Sequence, residues 1–245
     1  MRPTKIKILA ILCLLGSLAT AGAALLTYEK GHEDLQYDET LQDDFTTAAG
    51  DDKLTIDFAA LKARNPDMIG WIRVPGTPIN YPVVQTTNNS TYLTQRFDGS
   101  ATAYGTIFAD HRCDAKNGNN LILYGHNQGK LNPVKFTALS NYLSDPTYIM
   151  MHPYVEYYDA ETGERTIYDI FAAFRADITT QDNIDMYYRS VDDQGYKDYL
   201  DWLKRQDTVK ATVTPEPDRK SLILSTCTDD ADWQRVMVCS IAREK

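Results

Sequence analysis

A series of short β-branched and aromatic runs constrains the fold of this chain more than any other feature. Glycine, proline or asparagine separates these runs, which read WIRVPG, INYPVVQ, GTIFAD, NLILYGH, YVEYYD, TIYDIFAAF, ATVTP, SLILSTC and RVMVCSIA. Runs of this length between turn residues are typical of β-strands. Because closure removes the exposed edges of a sheet, many short strands with few helices predict a mainly β protein with a closed or nearly closed barrel.

Two helical patterns accompany the strands. Asp57 is suited to cap a short helix that Pro66 ends. A longer helix is predicted from Val191 to Gln206, because apolar residues recur there on one face. The residues of that face are Tyr196, Tyr199, Leu200 and Leu203. The DAETGER segment between Tyr158 and Thr166 is interpreted as a hairpin loop.

The N-terminus has the pattern of a membrane segment. Arg2, Lys5 and Lys7 precede an uncharged run from Ile8 to Tyr28. As a helix this run is about 30 Å long, which is enough to cross a bilayer. The basic flank predicts a cytoplasmic N-terminus and an exported domain. A cleaved signal peptide is the alternative, because small residues near Ala21 resemble a cleavage site, and it exports the domain as well.

Length and composition divide the remaining chain. The 245 residues suit one domain with an appendage. The polar, acidic stretch after the apolar run is interpreted as a solvated stalk. We therefore predict a cytoplasmic tip and signal anchor over 1–28, a linker over 29–52 and a catalytic domain over 53–245.

Charge and cysteine content exclude several classes of protein. There are 34 acidic and 25 basic residues, and the net charge of −9 argues against a nucleic-acid partner. The four cysteines form no CxxC pair and have no zinc-ligand spacing, so no metal site and no cofactor is predicted. Cys13 lies in the apolar run, and the odd number that remains makes a disulfide framework an unfavourable interpretation.

Three residues at predicted strand ends are suited to nucleophilic catalysis. Cys227 ends SLILSTC, His126 ends NLILYGH and Arg235 begins the strand that follows the Cys227 loop. A thiol needs a basic neighbour to react as thiolate, and histidine supplies one. A guanidinium is a poor base, but it can hold an oxyanion. Taken singly, each residue also fits a structural role: a buried thiol, a structural histidine and a surface ion pair.

These motifs together resemble those of the sortases, the membrane-anchored cysteine transpeptidases of Gram-positive bacteria. Leu224–Cys227 matches the end of the family's TLxTC-type strand, with Ile223 where threonine is usual. INYPVVQ, YGTIFADHR, NLILYGHN and the helix before the cysteine strand are similar to those of class B. The resemblance covers about 58–244 and implies an eight-stranded sortase barrel with an N-terminal helical extension.

The resemblance also implies roles for individual residues. Cys227 is expected to be the nucleophile, His126 the acid/base and Arg235 the clamp of the oxyanion or substrate. Ser225 and Thr226 are expected to help shape the substrate groove. Arg243 is a weaker alternative to Arg235, and Asp110 and Arg112 are interpreted as structural.

The implied function is that of a transpeptidase. It cleaves the C-terminal sorting signal of secreted proteins at a threonine and joins the new carboxyl end to a peptidoglycan amine, through a thioester and without a cofactor. The implied location is the cell membrane, single-pass, with the catalytic domain outside. L,D-transpeptidases carry an S-x-G-C-x-R-like stretch that is absent here, and papain-like peptidases place cysteine before histidine. The alternative from another class is an exported β-barrel binding module with an inert cysteine.

Overall fold

A computed structural model describes residues 28–50, 52–127, 129, 134–180, 193–228 and 233–244. Its helices are α1 (28–45), α2 (Phe58–Arg64), α3 (Asn141–Ser144), α4 (Tyr148–Met151) and α5 (Asp193–Arg205). Its strands are β1 (Thr46–Ala49), β2 (Lys53–Ile56), β3 (Met68–Arg73), β4 (Asn80–Val84), β5 (Ile107–Ala109), β6 (Asn120–Tyr124), β7 (Tyr154–Asp159), β8 (Arg165–Asp177), β9 (Ser221–Cys227) and β10 (Gln234–Ala242).

Eight of these strands close into a barrel. Their order is β10-β8-β7-β3-β4-β5-β6-β9, while β1 and β2 form a separate hairpin. Neighbouring strands are antiparallel except for the β4–β5 and β6–β9 pairs, which are parallel. The predicted eight-stranded barrel is confirmed, and the two parallel pairs place the ends of β6 and β9 at the same rim.

Sequence patterns account for several local elements. The Asp57 carboxylate accepts a hydrogen bond of 2.9 Å from the Ala60 amide, which caps α2 as predicted. The predicted apolar face of α5 is buried, and Tyr196 and Leu203 are 1 % and 0 % exposed. β7 and β8 pair across the predicted hairpin.

The ATVTP segment, residues 211–215, was expected to be a strand and is not one. Two side chains at and just beyond the end of α5 form hydrogen bonds with its backbone instead. The Asp207 carboxylate accepts a hydrogen bond of 2.9 Å from the Ala211 amide. The Lys204 ammonium donates a hydrogen bond to the Ala211 carbonyl. These backbone groups are therefore not available to a strand ladder.

Two hydrophobic cores support the barrel. The larger one joins barrel strands to the buried face of α5. The smaller one packs the N-terminal helices against β3 and β4, with Leu41, Leu61, Trp71 and Val84 at most 1 % exposed. At about 25 cal/mol per Å² of buried apolar surface, such side chains contribute on the order of 2 kcal/mol each.

The N-terminal segment differs from the expected solvated stalk. Residues 28–45 form a helix, and Asp34, Asp38 and Leu41 on one face are 2 %, 4 % and 1 % exposed. The two carboxylates are buried because cations from distant loops pair with them. The expected membrane span from Ile8 to Tyr28 lies outside the described residues except for Tyr28. No helix in the described part of the chain is long and apolar enough to cross a bilayer.

Candidate active site

The strands β6, β9 and β10 are neighbours in the barrel, and they carry the three predicted catalytic residues at one rim. In the parallel pair, Tyr124 lies level with Ser225. The Gly125 amide donates a hydrogen bond of 3.3 Å to the Ser225 carbonyl, which continues the pairing beyond β6. Continued for two residues along both chains, this register would pair His126 with Cys227.

Arg235 lies directly opposite Cys227 in the antiparallel β9–β10 pair. Side chains of directly opposite residues share a face, with Cβ atoms about 5 Å apart. The Arg235 guanidinium is partly buried, and Nη1 donates a hydrogen bond of 2.9 Å to the Gln234 carbonyl. The register therefore places an arginine, which carries a permanent positive charge, directly across from Cys227.

Cys227 differs from the other described cysteines in its exposure. All three are free thiols, but Cys113 and Cys239 are 8 % and 0 % exposed, whereas Cys227 is partly exposed. Burial raises the pKa of Cys113 to about 11, and it also raises the pKa of Cys239. A buried thiol with a raised pKa is a poor nucleophile, so Cys227 is the accessible candidate among them.

His126 is held by both its ring and its backbone. Its Nε2 lies 2.8 Å from the Leu93 carbonyl oxygen. A carbonyl only accepts hydrogen bonds, so Nε2 is the nitrogen that carries the proton in a neutral ring, and Nδ1 is left as the basic nitrogen. The Phe136 amide donates a hydrogen bond of 3.0 Å to the His126 carbonyl.

Asn127 and Leu93 contribute to this rim, although sequence reasoning did not single them out. The Asn127 side-chain amide donates hydrogen bonds to the Cys227 carbonyl, at 3.0 Å, and to Ser140 Oγ, at 3.1 Å. It therefore links the end of β9 to the chain that follows His126. The GHN triplet was the available signal for Asn127, while the backbone carbonyl of Leu93 leaves no residue-type signal.

Ser225 and Thr226 lie between strands in the described structure. They are 1 % and 2 % exposed, and the Thr226 hydroxyl donates a hydrogen bond of 2.7 Å to the Gly125 carbonyl. This bond joins β9 to the residue before His126. The expected role of Ser225 and Thr226 in shaping the groove stays a prediction, and it must act through the backbone of the rim because both residues are buried.

Asp110 and Arg112 form a structural ion pair beside β6. Arg112 donates hydrogen bonds of 2.9 and 2.6 Å to the Asp110 carboxylate, and the Tyr124 hydroxyl donates one of 2.7 Å. Burial alone would raise the pKa of Asp110, but the hydrogen bonds from Arg112 and Tyr124 outweigh it and lower the pKa to about 2. The carboxylate thus anchors Tyr124, two residues before His126.

Arg243, the weaker alternative to Arg235, is committed elsewhere. It lies just beyond the opposite end of β10, donates hydrogen bonds to Asp169 and stands 5.3 Å from the Tyr154 ring centre.

The acidic residues Asp229, Asp230 and Asp232 lie outside the described residues. A cavity of about 780 Å³ opens near Ser221, at the other end of β9 from Cys227.

Comparisons with known proteins identify relatives of this chain. A model of the sortase domain family matches residues 72–241. Sortase B of Staphylococcus aureus is 36 % identical over 175 residues, which cover 70 % of this chain and 68 % of that protein.

Solved structures show the same likeness. A Bacillus anthracis protein similar to sortase B is 27 % identical with a TM-score of 0.72, over 87 % of this chain and 98 % of its own. A sortase B complexed with triglycine is 31 % identical with a TM-score of 0.67, over 76 % and 85 %.

The barrel and these comparisons define the class of protein as a cysteine transpeptidase. The chain belongs to the sortase family, and its relatives place it in class B. The roles of Cys227, His126 and Arg235 in that reaction stay predictions, although the fold brings all three to one rim.

Proposed function

We propose that this sortase cleaves a C-terminal sorting signal of secreted proteins after a threonine and transfers the acyl group to a cell-wall amine. The observation that carries the proposal is the meeting of three strand ends. Cys227 lies opposite Arg235, and the parallel pairing of β6 with β9 supports a position of His126 at the same rim. The triglycine bound to a related sortase B is a small peptide with a free amine, which supports an amine as the acceptor.

In the first half of the proposed reaction, the Cys227 thiolate attacks the threonine carbonyl carbon and forms a tetrahedral oxyanion. The Arg235 guanidinium stabilises that charge. The carbon–nitrogen bond then breaks, His126 as imidazolium gives its proton to the leaving amine, and a thioester remains on Cys227.

In the second half, the acceptor amine attacks the thioester carbon. Neutral His126 takes a proton from that amine, and its Nδ1 is the available nitrogen because Nε2 is bonded to the Leu93 carbonyl. A second tetrahedral oxyanion collapses, the carbon–sulfur bond breaks and the Cys227 thiolate is restored. No net oxidation occurs, and one amide bond replaces another.

The test combines a panel of threonine-containing sorting peptides with triglycine as acceptor. Mass spectrometry is expected to show the peptide joined to triglycine, and a Cys227 adduct when triglycine is omitted. Cys227→Ala is expected to lose turnover, while Cys113→Ala is the matched control at a buried thiol. The proposal is refuted if Cys227→Ala matches the parent, or if no peptide yields a joined product.

The role of Arg235 has a matched control on the same strand. Arg235→Ala is expected to lower kcat about a hundredfold or more, because one oxyanion donor is lost. Arg243→Ala removes an arginine that pairs with Asp169 at the other end of β10. Similar losses of kcat in both variants would contradict the assignment to Arg235.

We also propose that the chain is anchored in the cell membrane, with its N-terminus in the cytoplasm and the catalytic domain outside. The basic flank and the uncharged run from Ile8 to Tyr28 support this proposal. Membrane fractionation and protease treatment of intact cells test it. A domain released into the medium whose N-terminus lies just after Ala21 or Ala23 would instead establish a cleaved signal.

A further inference from the structure

The helix α1 places two buried carboxylates on one face. Asp34 and Asp38 are one helical turn apart, and they are 2 % and 4 % exposed. Asp34 accepts hydrogen bonds of 3.0 and 3.2 Å from Arg96 and one of 2.8 Å from Thr102. Asp38 accepts hydrogen bonds of 2.7 and 2.6 Å from the Lys135 ammonium. Each acid therefore joins α1 to a separate loop of the barrel.

Both of these loops hold His126. Arg96 follows Leu93 by three residues, and the Leu93 carbonyl accepts the hydrogen bond of the His126 ring. Lys135 directly precedes Phe136, whose amide donates to the His126 carbonyl. Asp34 is thus linked to the imidazole through residues 93–96, and Asp38 is linked to the backbone of His126 through residues 135–136.

The backbone at Lys135 shows that its segment is held in a costly conformation. Its φ angle is +53°, in the left-handed region that residues with a Cβ rarely adopt. The Tyr81 hydroxyl accepts the Lys135 amide at 3.1 Å, and the ammonium stands 5.1 Å from the Tyr81 ring centre. Such conformations persist only where surrounding contacts hold them in place, and here Asp38 and Tyr81 supply those contacts.

We propose that α1 is a positioning element for His126, with Asp34 and Asp38 as its positioning residues. Asp34 holds the segment whose Leu93 carbonyl favours the Nε2–H form of the ring. Asp38 holds the segment whose Phe136 amide bonds to the backbone of His126. The inference rests on the proposed acid/base role of His126. Neither carboxylate touches substrate, and both act through the position and tautomer of the imidazole.

A displaced histidine costs turnover more than binding. A misplacement of about 1 Å in a catalytic group lowers the rate by up to a hundredfold. Asp34→Asn is the primary variant, because the Arg96 side chain is 22 % exposed and water can solvate it after the change. We expect kcat to fall about tenfold and KM to change less than about twofold. Asp34→Glu keeps the charge and is expected to restore most of kcat.

Gln42 supplies a matched control on the same helix. Its side-chain oxygen accepts a hydrogen bond of 3.0 Å from Asn80, a residue of β4 whose own oxygen accepts from the Trp71 indole. Gln42→Ala therefore loosens α1 away from the loops that hold His126. We expect it to lower Tm while kcat stays at the parent value.

The distinguishing measurement is the tautomer of His126, followed through the ¹⁵N shifts of its ring nitrogens in the full chain. Asp34→Asn is expected to reduce the Nε2–H population, and Gln42→Ala is expected to leave it unchanged. The positioning role is refuted if Asp34→Asn lowers Tm but changes neither kcat nor the ring shifts. It is equally refuted if Gln42→Ala lowers kcat as much as Asp34→Asn does.

Failure of the proposed function gives a different pattern. If His126→Ala turns over peptide as the parent does, His126 has no acid/base role, and the catalytic assignment fails. The ring shifts of the Asp34 variant do not depend on turnover. They still report whether α1 orients the imidazole.

Discussion

Replacing Lys135 by methionine removes the positive member of a buried ion pair. The side chains of Lys135 and Asp38 are 4 % and 5 % exposed, and the ammonium donates two short hydrogen bonds to the carboxylate. Methionine fills a similar volume, so the change removes charge with little change in packing. Asp38 is then left as a buried carboxylate without its cation.

The expected loss of stability follows from the burial of this unpaired carboxylate away from water. Removing one partner of a buried ion pair typically destabilises a protein by about 3–5 kcal/mol. For a domain of this size, such a loss corresponds to a fall in Tm of about 6–20 °C. Replacing both partners, as in Asp38→Leu with Lys135→Met, leaves no unpaired charge, and we expect most of the stability to return.

The cost should also depend on pH. Burial raises the pKa of Asp38 in the parent, while Lys135 and more distant Arg96 oppose that rise and Asp34 adds to it. Without Lys135, the folded-state pKa rises further above the unfolded value. An acid with a raised folded pKa contributes stability below its unfolded pKa, and this contribution is lost as pH rises through the folded pKa. The variant should therefore lie closer to the parent at pH 5 than at pH 7.5.

Urea unfolding of the parent, Lys135→Met and the double variant at both pH values measures these differences. A loss of less than about 1 kcal/mol for Lys135→Met at pH 7.5, which is the range of exposed ion pairs, would contradict a stabilising buried pair. A cost that is the same at pH 5 and pH 7.5 would also contradict the proposed unpaired carboxylate.

Three further predictions concern the rim. Gly125→Ala would place a Cβ 2.8 Å from the Phe136 ring, so we expect about 1–3 kcal/mol of destabilisation by thermal unfolding, together with lower peptide turnover. Asp110→Asn should cost about 1–3 kcal/mol at pH 7. Because the folded pKa of Asp110 is lowered, this difference should shrink as pH falls from about 4 towards 2 in acid unfolding. A methanethiosulfonate reagent should label Cys227 in the folded protein, whereas Cys113 should react only after unfolding; the reverse order, read by mass spectrometry, would contradict the burial argument.

The barrel strands and α5 could be predicted because their patterns are local. SLILSTC has the length and composition of a strand, and it forms β9. The apolar face of the Val191–Gln206 pattern is buried in α5, whose described range is Asp193–Arg205. ATVTP has an equally strand-like composition, but Asp207 and Lys204 occupy the backbone groups of Ala211. That competition between side chains and backbone is tertiary, so composition did not indicate it.

The helix α1 could not be predicted as a packed element for a similar reason. Its inward face carries Asp34 and Asp38, and acids usually mark the solvated side of a helix. They are buried because Arg96 and Lys135, 62 and 97 residues further along the chain, pair with them. No local periodicity contains that information.

The candidate site likewise depends partly on local sequence and partly on tertiary structure. Residue chemistry and position along the chain determined the candidates by themselves: a thiol at Cys227, a base at His126 and a permanent cation at Arg235. Only the tertiary structure decided that parallel pairing of β6 with β9 brings the strand ends before His126 and at Cys227 to one rim, and that the Leu93 carbonyl bonds to the His126 ring. The physical reason is range, because residue type and periodicity are local properties, whereas strand register and hydrogen-bond partners depend on segments that are distant in sequence.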